Sequence, residues 1–159
     1  MRVALISAAA AFVLNLFGLW PFSWRWATDS TRAYFAILTA SREWSAFVVW
    51  CLFTCLAVPV IEEVSFRFGV LRYVALRTGS ARAGIMVSAV LFGVAHLGYL
   101  NHIDRAHAVN ASWVFVLALI LGWLTVKAGG RVTRPIAVHV AINPIQTIVL
   151  YWFTLTGPS

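Results

Sequence analysis

The stretch SAFVVWCLFTCLAVPVIEEVSFR, residues 45–67, decides how this chain is read. Ser45 to Ile61 carries no charge, and two adjacent glutamates and an arginine follow almost at once. A helix needs roughly 17 to 25 apolar residues to cross the hydrocarbon core of a bilayer, and this run meets the lower bound. An ionisable group at mid-membrane costs from about 3 to more than 10 kcal/mol depending on the method, so it is kept only where it faces a bundle interior or a wet cavity and serves a function. The stretch therefore predicts a membrane helix leading into a functional site.

Working outward, four further runs have membrane character: Val3 to Trp20, Ala83 to Leu100, Ala111 to Val126 and Pro135 to Thr156. Val3 to Trp20 is expected to be a retained span, because no small-x-small site is followed by a polar mature domain. Ser80 is a plausible N-cap for the run that follows it, Lys127 and Gly129-Gly130 close another, and Pro135 opens the last at a tolerated early position. The segment Trp24 to Trp44 interleaves Trp24, Trp26, Tyr34 and Trp44 with Arg25, Arg32 and Arg42, and is expected to lie in the headgroup layer. The fold class that follows is all-α, a polytopic membrane bundle of about five transmembrane helices in one domain over residues 1–159.

Composition agrees. Of 159 residues 62% are hydrophobic and 11% charged, against about 45 to 50% and about 25% in soluble domains. The formal charge of +7 would suggest nucleic acid in a soluble protein, but these cations fall mostly between apolar runs, where they meet lipid headgroups; no nucleic-acid partner is expected. Arg2, Arg72, Arg77, Arg82, Lys127, Arg131 and Arg134 count on one face of five spans, against Arg25, Arg32, Arg42 and Arg105 on the other. The positive-inside rule then puts the N-terminus in the cytoplasm of a bacterial inner membrane. Cys51 and Cys55 fit no disulfide framework or metal knuckle and read as packing residues.

Glu62, Glu63, Arg67, His96, His139 and Asn143 are the side chains that do not belong in lipid. Glu63 and Arg67 stand at i, i+4 with the acid first, the favourable order for an ion pair. Glu62 is turned about 100° away, which leaves one carboxylate structural and the other available as a general base for water. His139 and Asn143 also stand at i, i+4 and offer two donors toward the oxygen of a polarised carbonyl. Spacing alone gives His96 no role beyond sharing a face with Phe92. Pro59 and Pro144, within helices, would free the carbonyls of Cys55 and Val140 and bend the backbone.

Glu62-Glu63-Val-Ser-Phe-Arg67, Phe92-Gly-Val-Ala-His96 and His139-Val-Ala-Ile-Asn143 resemble the EExxxR, FxxxH and HxxxN motifs of the CPBP family, the type II CAAX prenyl endopeptidases and their bacterial relatives, also called the ABI family. The resemblance covers roughly residues 48–154 and departs where Phe68 separates the arginine from Gly69. It implies a glutamate-dependent intramembrane endopeptidase with no cofactor. In that scheme Glu62 and His96 activate water, His139 and Asn143 stabilise the oxyanion, and Glu63 with Arg67 hold the site. The partners implied are the bilayer and a membrane-anchored protein or peptide substrate; oligomeric state is not implied. No covalent intermediate is expected, since neither Ser65 nor Ser88 stands in a nucleophile motif.

Three alternatives remain open: a zinc protease using Glu62, His96 and His139 as ligands, which lacks the HExxH pair; a non-catalytic immunity or scaffold protein; and a small transporter or channel, for which no inverted repeat is visible. One geometric difficulty stands. Straight, fully spanning helices would put His96 near the outer end of its helix and His139 near the inner end of its own, too far apart to share one water.

Overall fold

The computed structural model describes residues 36, 37, 40, 44–97 and 105–156. The described residues are helical with no strand, as expected; the run Val3 to Trp20 and nearly all of Trp24 to Trp44 lie outside them. Among the described residues four helices form the bundle: α1 (Trp44–Thr78), α2 (Ala81–Ala95), α3 (Arg105–Lys127) and α4 (Thr133–Thr156). The apolar run Ser45 to Ile61 therefore does not stop at the glutamates but continues through them as one helix of 35 residues.

The helix ends follow local rules. Gly79, at φ 66°, ends α1 in the left-handed conformation that glycine adopts without strain. One residue on, Ser80 accepts from the Ala83 N–H and caps α2. At the end of α3, Gly129 N–H donates to Val126 O and Gly130 N–H to Thr125 O, the paired bonds of a Schellman cap, with both glycines at positive φ. The expectation of a helix reaching Leu100 is corrected: α2 ends at Ala95, with His96 at the C-cap. The His96 ring binds the Phe92 carbonyl, one of the acceptors a helix C-terminus leaves open.

Inside α1 two segments widen to π-helix, Phe53–Ala57 and Val64–Leu71. In the first, the Val58 N–H reaches Phe53 O, five residues back. The next bond in that register would run from residue 59 to Thr54 O, and residue 59 is proline. Thr54 O is thus left without a helical donor, in addition to the Cys55 carbonyl that α-helical counting frees.

Helix α2 packs chiefly on α3 and on the second half of α1, while α4 packs on the first half of α1 and on α3. Ala89, Phe92, Val114 and Ala118 form one core, and Leu121, Leu124, Val138 and Ile142 another. Little of α1 is used this way: only 11% of its most apolar window is buried, and Val49, Ile61, Tyr73 and Leu76 are among its exposed large apolar side chains. A soluble core helix would be mostly covered. Among the described residues two helices, α1 and His107–Lys127 within α3, are long and apolar enough to cross a membrane.

The alternating helices bring Arg72, Arg77, Arg82, Lys127, Arg131 and Arg134 to one end of the bundle. Arg72, Arg77 and Lys127 lie over the rings of Phe68, Tyr73 and Trp123 there. The same topology resolves the depth difficulty. Glu62 stands sixteen residues before the end of α1 and His96 fifteen after the start of α2, so the two rise to one level. His139 is only six residues into α4, so α4 starts nearer the site than α2 does.

Close packing of α1 on α2 depends on Gly84, where an added Cβ would stand 2.5 Å from the backbone oxygen of Leu71. Gly69 is different, its nearest neighbour lying 3.7 Å away. Gly84→Ala is expected to destabilise the detergent-solubilised protein by about 1 to 3 kcal/mol, whereas Gly69→Ala is expected to be neutral or to stabilise by up to about 1 kcal/mol. Thermal unfolding of both variants checks the pair.

Candidate active site

Three helices contribute to one cluster. Glu63 and Arg67, one turn apart on α1, are both fully buried with Arg67 Nε 3.1 Å from Glu63 Oε2. Their contact is mainly one of charge, because the N–H direction falls outside hydrogen-bond geometry. Among the described residues neither Nη1 nor Nη2 of Arg67 has a hydrogen-bond partner. The guanidinium lies instead over the face of Phe92, 4.5 Å from its centroid. Phe92 is held in turn by the edge of Phe66 at 4.8 Å.

The other oxygen of Glu63 reaches α4, where Oε1 is 2.9 Å from His139 Nδ1. Since a carboxylate only accepts, Nδ1 carries the proton and Nε2 of a neutral His139 presents a lone pair. That Nε2 lies 3.6 Å from Glu62 Oε2. His96 arrives in the same state by another route: its Nδ1 is 2.8 Å from the Phe92 carbonyl, also acceptor-only, and its Nε2 faces Glu62 Oε1 at 3.6 Å. Two imidazole lone pairs and one carboxylate therefore converge. Glu62 and His96 keep side-chain exposures of 21% and 29% while Glu63 and Arg67 have none, so the first pair is open to the surroundings of the bundle and the second is not.

Asn143 sits one turn beyond His139 on α4 and donates from Nδ2 to the Thr54 carbonyl at 3.0 Å. Thr147, another turn on, donates to Asn143 O and lies 3.4 Å from Cys55 Sγ. Cys55 is buried and Cys51 half-buried, and both are free thiols. Ser88 is committed elsewhere, donating to Phe66 O.

All six residues singled out in the sequence are thus on the three helices around this point, and five are joined by contacts of 3.6 Å or less. Spacing could not supply the role of Phe92 as a platform for Arg67 and His96, the anchoring carbonyl of Thr54, or Thr147. The last had a signal, since His139, Asn143 and Thr147 recur every four residues on one helix face. No group of three or more His, Cys, Asp or Glu side chains among the described residues is arranged to hold a metal ion.

In this helical bundle one buried and one partly exposed carboxylate meet two histidines from two other helices. Residues 44–145 match the family model described as type II CAAX prenyl endopeptidase Rce1-like, and the chain belongs to that family. Membership and the apolar helices together make it an integral membrane protein. No curated protein and no solved structure matches the chain.

The two glutamates are expected to separate experimentally. Arg67→Ala leaves Glu63 buried without its cation and is expected to destabilise by roughly 3 to 5 kcal/mol. Glu62→Gln removes a partly exposed group that has no hydrogen bond among the described residues, and is expected to leave the melting temperature nearly unchanged. Thermal unfolding in detergent compares them, and equal losses would overturn the distinction between a structural and an available carboxylate.

Proposed function

We propose that the chain is an intramembrane endopeptidase in which Glu62 acts as general base for water attacking a peptide bond. The observation that carries this reading is the convergence of Glu62 with the Nε2 atoms of His96 and His139 beside a buried ion pair. A water donating to Glu62 and to His96 Nε2 has both hydrogens occupied and turns its lone pairs outward to a carbonyl carbon. Its oxygen adds to that carbon as one proton passes to Glu62; the proton then goes to the leaving nitrogen as the C–N bond breaks.

The oxyanion is assigned to His139 and Asn143. A neutral His139 spends its one N–H on Glu63, so donating to the oxyanion from Nε2 requires a proton on that nitrogen as well. Asn143 has one Nδ2–H committed to Thr54 and a second to give. Glu63 and Arg67 hold His139 in this orientation. Asn143→Ala is expected to lower kcat about 100- to 1000-fold with little change in KM, the signature of a contact made in the transition state.

The substrate proposed is a membrane-anchored protein or peptide, either a protein with a C-terminal hydrophobic sorting tail or a secreted peptide precursor; a prenylated CAAX protein fits only a host that makes such proteins. Comparing membrane-protein tail lengths in cells with and without the chain tests this, and an unchanged membrane proteome overturns it. The zinc alternative is decided by metal analysis. The glutamate reading expects chelators to leave activity intact, and one zinc per purified chain, lost in His139→Ala and kept in Asn143→Ala, would replace it.

A further inference from the structure

Asn143 is anchored on an acceptor that a regular α-helix would not offer. The bond from Val58 to Phe53 sets a five-residue register in α1, and Pro59 then has no N–H for the next carbonyl in that register, Thr54 O. Two departures from helix geometry coincide at one carbonyl. Asn143 Nδ2, from α4, is the donor that takes it, at 3.0 Å.

We propose that the π-turn and Pro59 together form a positioning device for the Asn143 amide, making Pro59 a positioning residue. The two ends of an asparagine amide are nearly identical in shape, and a flip would present an acceptor where a donor is wanted. A carbonyl anchor only accepts, so it admits the NH2 end alone. Once one Nδ2–H is fixed on Thr54, the amide plane is set and the second Nδ2–H is held in one direction. Any residue other than proline at position 59 brings an N–H that competes for Thr54 O from within α1. The inference rests on the proposed oxyanion role of Asn143 for its effect on rate, and on the anchor alone for its effect on the amide.

Pro59→Ala and Pro59→Val both restore that N–H, one with less side-chain volume than proline and the other with more, so an effect common to the pair separates the hydrogen bond from packing. The full chain, labelled with 15N-asparagine and held in detergent micelles, reports the Asn143 side-chain NH2 directly once its signal is identified by its loss in Asn143→Ala. Both Pro59 variants are expected to move that signal toward the shift and exchange rate of a free amide, and to lower kcat at least tenfold at similar KM. In an Asn143→Ala background the same substitutions are expected to change kcat less than twofold. An Asn143 signal unmoved in the Pro59 variants overturns the proposal, whatever the activity. So does a loss confined to Pro59→Ala, or one that persists undiminished without Asn143. If Asn143→Ala is itself fully active, the oxyanion assignment fails while the amide signal still decides the anchor.

Discussion

Glu63 compensates two groups at once, and the bundle around it is arranged to let it do so. One oxygen faces the buried guanidinium of Arg67 and the other receives the Nδ1 proton of His139 from a different helix. A fully buried cation is tolerable only with its counter-charge beside it, because the desolvation of either ion alone exceeds what packing returns. The Phe92 ring under Arg67 supplies the remaining stabilisation from α2, so one carboxylate fixes the mutual placement of three helices. Its second consequence is chemical: by taking the Nδ1 proton it dictates which nitrogen of His139 faces Glu62.

The same logic recurs at His96, where a backbone carbonyl replaces the carboxylate. Ending α2 at Ala95 leaves the Phe92 carbonyl without its helical donor, and the imidazole Nδ1 occupies it. Both rings are thereby held in one tautomer by acceptors that lie away from the reacting side. Helix irregularity does structural work here, since a helix end, a π-turn and a proline each expose a carbonyl that a side chain from the site then uses.

Much of this was legible in the chain. The apolar runs place the helices because only a helix satisfies its own backbone in lipid, and the i, i+4 spacing of Glu63 with Arg67 and of His139 with Asn143 follows from helix geometry alone. The capping role of Ser80 was equally local. The reading erred where a backbone register changed. Counting four back from Pro59 gave Cys55 and missed Thr54, whose carbonyl the π-turn also leaves without its helical donor. Extending α2 to Leu100 followed hydropathy, which does not register a histidine that caps a helix from its own side chain.

The sequence by itself determined the helical class, the medium and the identity of the polar residues, because burial in lipid selects apolar runs and makes each exception conspicuous. Which exceptions meet, and through which atoms, was decided by tertiary structure. Glu62 lies level with His96 only because the α1–α2 turn sets nearly equal lengths of helix on either side of it, and with His139 only because α4 starts nearer the site. The choice of Glu63 rather than Glu62 as hydrogen-bond partner for His139 rests on which face of α1 is turned to α4, a matter of packing between residues more than 70 positions apart.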